Sequence, residues 1–362
     1  FAISYPLAYS GPGALPVDPV IWALVTHLFL RTAYTIVAVP FTSLQARLTH
    51  DAQERAVVAG FRMVGAASGG LMVVLLTPFF VSWYGEGREA HAYFVAACIA
   101  SGIALATLWY SFFCMREPAS DYGDPLEPIW SDLKGIGSVF LRNPPLMRVF
   151  GIVISGSLCL GMFGKNVVYH FKYDIQRPDP MIGLLIPAIL LILTVPIWVA
   201  LAKRTSKRTA LAIGAMIGLA GYLWFFFNSA GNLTYTFAAM GLAGIGSSAF
   251  AVMFWSMLPD TVEYGQAVTG VRAESKTFGF ATFAQKAAVG INALLLGALL
   301  EWVGYIPNEP QSAETLLGMK AIMALVPAAG VIVILILLSG YKLDHAQHAQ
   351  LLKDIESHPS KG

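Results

Sequence analysis

Nine stretches of this chain, near 21–45, 60–83, 91–115, 146–171, 181–202, 209–228, 233–258, 277–302 and 317–341, are apolar over about twenty residues or more. At about 1.5 Å of rise per helical residue, each covers the roughly 30 Å of hydrocarbon in a bilayer. A segment placed there has no water to satisfy its peptide groups, so a helix that closes its own hydrogen bonds is the structure each run requires. The composition agrees: 56% of the residues are hydrophobic and only 12% charged, with a mean hydropathy of +0.64, more apolar than one soluble core can hide. The chain reads as an all-α integral membrane protein.

Before the first full run, FAISYPLAYS meets Gly11-Pro12-Gly13 after ten residues. That is half a span, and it has neither the basic stretch nor the small-residue cleavage site of a leader. The expectation is a chain that begins partway through a membrane helix. Lysine and arginine then orient the spans. Of the 23 bases, sixteen fall on one set of alternate connections, three on the other, and Arg31, Lys165, Lys286 and Lys320 lie within apolar runs. The base-rich set, which includes the C-terminal tail, is expected on the cytoplasmic side.

The longest connection, 116–145, divides the chain into an N-terminal bundle over 1–115 and a C-terminal bundle over 146–341, with a tail at 342–362. It opens polar and proline-rich, then carries Ile129, Leu133, Ile136 and Phe140 at helical spacing, which predicts a short helix on the membrane surface. Six spans follow the linker, and three and a fragment precede it. A further segment of two spans and the start of a third would make six and six, the expectation for a major facilitator fold of two bundles around a central cavity. The N-terminal bundle here would then lack its first two helices.

Among these runs, 254–276 reads FWSMLPDTVEYGQAVTGVRAESK and gathers Asp260, Glu263, Arg272, Glu274 and Lys276 between two spans. The stretch WSMLPDTVEYGQAVTGVRAES resembles the loop between helices ten and eleven of the glycoside–pentoside–hexuronide:cation symporters, the melibiose-carrier family. YTIVAVPFTSLQARLTHDAQERAVVAGFRM, residues 34–63, is similar to that family's helix four, its cytoplasmic loop and the start of helix five. The resemblance implies secondary active transport of a small solute, coupled to sodium or a proton, with no resident cofactor. It also implies that Asp260, Glu263, Arg272 and Glu274, with Glu54 and Arg55 from the other half, form ion pairs that close the cytoplasmic face. Exposed pairs are each worth about 0–1 kcal/mol, so a latch of several can break on every cycle.

A charge near mid-membrane is costly unless it faces water or a partner, which makes intramembrane bases candidates for function. His27, Arg31, Tyr34, Thr35, Ala38 and Thr42 recur at three or four residues and share a stripe of one helix. Lys286 lies about 14 Å into its run, with Thr282 one turn earlier on the same face. The resemblance places Tyr34 at the junction of sugar and cation sites, Thr35 at the cation site, Arg62 at the substrate site, and Thr282 and Lys286 on a cavity-lining helix. Where melibiose carriers have a sugar-binding aspartate this chain has Ala38, and where they have a stacking tryptophan it has Thr42. Losing an acid and adding Arg31 turns this face toward an anionic substrate such as a hexuronide, because arginine offers paired donors to a carboxylate.

Other classes fit less well. A net charge of +2 with no clustered basic face gives nucleic acid no footprint. Cys98, Cys114 and Cys159 lie in or beside apolar runs without metal or redox spacing and read as core residues. No HExxH or Gly-x-Ser-x-Gly occurs, and no His and Asp pair is expected at depth, so the chain does not read as an enzyme. The small-residue runs GAASGG and GLAGIGSSAF lie within spans and predict close helix packing rather than phosphate binding. Lys165, Asn166, Tyr169 and Tyr173 form a polar and aromatic edge at one span end, expected at the membrane interface. The alternatives kept open are a lysolipid or amphiphile carrier of similar fold and a membrane subunit that no longer transports. Oligomeric state is not legible.

Overall fold

The computed structural model describes residues 1–13, 16–47, 52–84, 89–114, 142–176, 181–228, 233–269 and 274–343. The surface helix expected at 129–140, the tail beyond Leu343 and Arg272 lie outside the described residues. What is described is helical: α1 Ser4–Ala8, α2 Pro19–Arg47, α3 Ala52–Tyr84, α4 Glu89–Cys114, α5 Pro144–Tyr169, α6 Met181–Arg204, α7 Lys207–Asn228, α8 Leu233–Thr269, α9 Glu274–Trp302 and α10 Ala313–Ser339. Eight helices among the described residues are long and apolar enough to cross a membrane. The run at 181–202 forms α6, a helix of 24 residues.

Two compact units partition these helices, residues 1–48 with 69–123 and residues 49–68 with 124–362. The first half of α3 therefore packs with the second unit and its later half with the first.

In the first unit, the short α1 packs on α2 and α4. Trp22 Nε1 donates to the Ser10 carbonyl at 2.8 Å, tying the turn after α1 to the start of α2.

The second unit has a dense core. Asn143 caps α5: its Oδ1 accepts from the Leu146 amide at 3.0 Å, and Pro144 takes the first helical position, where a missing N–H costs nothing. Its Nδ2 donates to the Thr261 carbonyl at 2.7 Å, fixing the start of α5 against α8. Helices α7 and α8 touch backbone to backbone along Gly214, Gly218 and Gly221. A Cβ on Gly246 would sit 2.5 Å from the Gly218 Cα and 2.7 Å from the Gly214 carbonyl oxygen. GLAGIGSSAF is thus the close-packing seam that its composition predicts. At GAASGG no such approach is seen: among the described residues, a Cβ on Gly65, Gly69 or Gly70 meets nothing within 4 Å. Cys159 is buried, and its Sγ donates to the Pro327 carbonyl at 3.2 Å. Cys98 and Cys114 are exposed, which corrects their reading as core residues.

A polar node crosses the middle of this unit. Trp198 Nε1 on α6 donates to Ser248 Oγ on α8 at 2.8 Å, and Thr194 Oγ1 lies 2.6 Å from the same oxygen. Each group is buried, so each needs the others to replace the water it has lost.

Candidate functional site

In the first unit, α2 carries the stripe that its spacing predicts. Arg31 Nε donates to His27 Nε2 at 3.2 Å, a contact that uses that imidazole nitrogen as an acceptor. Thr35 Oγ1 donates to the Arg31 carbonyl at 2.8 Å, so its hydroxyl hydrogen is engaged along the helix while its oxygen can still accept or coordinate. Arg31, Tyr34 and Thr35 are all exposed within this unit. The Tyr34 ring centroid lies 5.9 Å from that of Phe1. Thr42 belongs to the same helix, and its side chain is outside the description.

In the second unit, the guanidinium carbon of Arg62 lies 4.3 Å from the centroid of the Trp255 ring. Trp255 is buried, and its ring stacks on Phe278 of α9 with centroids 6.4 Å apart and planes 22° apart. Phe278, Thr282 and Lys286 follow one another at four-residue steps on one face of α9. That face runs from buried at Phe278 through half-buried at Thr282 to exposed at Lys286. Thr282 Oγ1 donates to the Phe278 carbonyl at 2.9 Å. Arg62, Thr282 and Lys286, three substrate candidates from the sequence, therefore belong to one unit, with two aromatic rings the sequence reading passed over. Trp255 stands five residues before Asp260 in the quoted charged stretch, and a tryptophan next to charges in an apolar run was the available signal.

The charged stretch itself differs from expectation. Asp260 and Glu263 are not on a loop: α8 continues through Pro259 to Thr269, and both acids are buried, 5% and 4% exposed. Lys207, at the start of α7, places Nζ 2.7 Å from each carboxylate oxygen of Asp260 and 2.8 Å from the Ser256 carbonyl. The charge that looked solvated is held inside one unit, and the small value of an exposed pair does not apply to it. A proline usually marks a helix end, but here the missing N–H is outweighed by buried packing on both sides of the turn. Beside this pair lies Tyr341, whose hydroxyl is buried without a hydrogen-bond partner among the described residues. Burial, with the Asp260 charge adding to it, pushes that hydroxyl well above the usual tyrosine range. Glu54 and Arg55 lie in the first turn of α3 and Glu274 starts α9, with side chains outside the description.

At the other end of α5 the expected polar and aromatic edge is an ordered web. Tyr173 and Tyr305 place their hydroxyls 2.9 Å apart, the Asn308 amide donates to Tyr173 Oη at 2.9 Å, and Lys172 Nζ donates to Asn308 Oδ1 at 2.7 Å. Next to it His170 Nδ1 lies 3.0 Å from Asp174 Oδ2, a pair of a buried histidine and a half-buried aspartate that the sequence alone does not announce. Among the described residues, no cluster of three or more His, Cys, Asp or Glu could hold a metal ion.

Residues 1–345 match the family model described as MFS/sugar transport protein. The chain belongs to that family. This MFS sugar-transport chain is 29% identical to the isoprimeverose transporter of Lactiplantibacillus pentosus, over 98% of its own length and 74% of the relative's. It is 24% identical to the glucuronide carrier protein homolog of Escherichia coli (strain K12), over 93% of itself and 73% of the relative. Its fold is similar to the crystal structure of the E. coli fucose:proton symporter, with a TM-score of 0.62 at 14% identity, covering 94% of this chain and 82% of that one. The MFS sugar-transport chain is thus a multi-pass integral membrane protein and a secondary transporter rather than an enzyme. Its fold is the all-α major facilitator fold expected from the spans.

Proposed function

We propose that this transporter moves an anionic glycoside, a hexuronide or related sugar acid, together with a coupling cation, sodium or a proton, by alternating access. The observation that carries the reading is Arg62 laid over Trp255, beside the Phe278, Thr282 and Lys286 face. An arginine over an aromatic ring keeps its charge, and its paired N–H donors are the chemistry a carboxylate needs. Aromatic rings give a sugar ring an apolar surface, and Lys286 adds a second base. By the family resemblance, Arg31, Tyr34 and Thr42 are also proposed for substrate binding, and Thr35 for the cation through its hydroxyl oxygen. The relative named as a glucuronide carrier homolog supports the anionic class. A neutral glycoside is the competing reading, favoured by the relative named for isoprimeverose.

The cycle proposed here needs no resident cofactor; its partners are the substrate, the coupling cation and the lipid bilayer. The setting is a bacterial inner membrane with the C-terminus in the cytoplasm, which the distribution of lysine and arginine supports. Glu54, Arg55, Asp260, Glu263, Arg272 and Glu274 are proposed as the cytoplasmic latch. Counterflow of glucuronide and of neutral glycosides in proteoliposomes, under imposed sodium or proton gradients, tests the assignment. Glucuronide exchange that Arg62→Ala and Arg31→Ala both abolish is the expected result. Robust transport of a neutral glycoside, unchanged by Arg31→Ala, overturns the anionic class.

A further inference from the structure

At its end, α5 widens into a π-helical turn, His170–Asp174. Such turns are rare and recur at functional positions. Asn166, His170 and Asp174 stand at four-residue steps and line a small cavity, which Met319, Lys320 and Met323 of α10 close from the other side. The space is about the size of one water molecule.

Counting donors and acceptors says what belongs there. His170 Nδ1 lies 3.0 Å from Asp174 Oδ2, a separation that two unprotonated atoms would not keep, so in the neutral ring the proton belongs on that nitrogen and Nε2 is an acceptor. Asn166 spends its amide donor on the Met162 carbonyl at 2.7 Å, which leaves Oδ1 as an acceptor too. Both side chains are more than nine-tenths buried, with 6% and 1% exposed. Neither His170 Nε2 nor Asn166 Oδ1 has a partner among the described residues. The two side chains that carry these desolvated acceptors line one space, and neither acceptor can satisfy the other. Buried polar groups in this position are ordinarily bridged.

We propose that this cavity is a binding site for one water-sized molecule with two hydrogen-bond donors, given to His170 Nε2 and Asn166 Oδ1. Water and ammonium share that chemistry. Lys320 favours water, because its ammonium can donate to a water oxygen but repels a second cation. Its Nζ is otherwise 6.0 Å from the centroid of the Phe226 ring. The bound molecule would pin the π turn that delivers Lys172 and Tyr173 to Asn308 and Tyr305. The site is internal to the C-terminal bundle, so it does not rest on the transport reading.

The test is nuclear magnetic resonance of the full chain in nanodiscs with ¹⁵N-labelled histidine, His170 being identified by its loss in His170→Gln. The expected ring is neutral with its proton on Nδ1, and it shows magnetisation transfer from a long-lived water. Asn166→Leu, which removes one of the two acceptors, should weaken occupancy about tenfold, the equivalent of one hydrogen bond. If ammonium chloride but not sodium chloride displaces that water signal while the tautomer stays the same, ammonium is the ligand and the site stands. A proton on Nε2, or a ring protonated on both nitrogens at neutral pH, overturns the proposal, because Nε2 would then be a donor. So does a water signal that Asn166→Leu leaves unchanged.

Discussion

Replacing Lys207 with methionine removes an ammonium and keeps a side chain of similar length and apolar stem. In the structure that ammonium gives three short hydrogen bonds, two of 2.7 Å to Asp260 and one of 2.8 Å to the Ser256 carbonyl. The two side chains are only 11% and 8% exposed. Solvent screening is therefore weak, and other contacts of Asp260 remain when Lys207 is removed. Breaking a buried pair by deleting one member typically costs about 3–5 kcal/mol. For a domain of 150–250 residues each kcal/mol moves the melting temperature by about 2–4 °C, so the expected fall is about 6–20 °C. A thiol-reactive fluorescent dye reads it directly. Cys159 is 5% exposed and its sulfur becomes accessible only on unfolding; Cys98 and Cys114, both exposed, are first replaced by alanine. Asp260→Asn should also destabilise, and the Lys207→Met/Asp260→Asn double variant should recover part of the sum, because two buried groups that needed each other are lost together. A fall below about 2 °C for Lys207→Met would mean the pair behaves like an exposed one, and the argument from its burial fails.

Three further outcomes follow from other contacts. Gly246→Leu, which drives a side chain into the Gly218 and Gly214 backbone, should cost at least 1–3 kcal/mol by thermal unfolding, roughly the penalty of overpacking, whereas Gly69→Leu should be nearly silent. Ser248→Ala strands the Trp198 indole N–H and should lower stability by about 1–3 kcal/mol; loss of less than about 0.5 kcal/mol would show that the node is not needed. Trp255→Ala should reduce glucuronide uptake about tenfold and Trp255→Phe much less, since a ring beneath Arg62 is worth about 0.5–2 kcal/mol; equal uptake by both variants would remove the ring from the site.

The residues that the sequence singled out fared unevenly, for a common reason. Tyr34, Thr35 and Arg31 share a stripe because a helix repeats every 3.6 residues, and that regularity needs no knowledge of neighbours. Arg62 and Trp255 are 193 positions apart in the chain, and nothing within either segment announces their stacking. Asp260 looked like a loop residue because it follows a proline and precedes other charges. Its burial depends on Lys207, 53 residues earlier. Two glycine-rich runs of similar composition diverged as well: one meets another helix at backbone distance and the other meets nothing within 4 Å among the described residues.

By itself the sequence determined that the chain lives in a bilayer and that its long apolar segments are helices, because crossing is a matter of contiguous apolar length. It also determined the family, through two long motifs. Tertiary structure alone decided which charges are solvated, which glycines carry a helix crossing, and where Asn166 and His170 line a small cavity. Those are properties of pairs distant in sequence, and the energy of a charge or a polar group is set by what surrounds it, not by what precedes it in the chain.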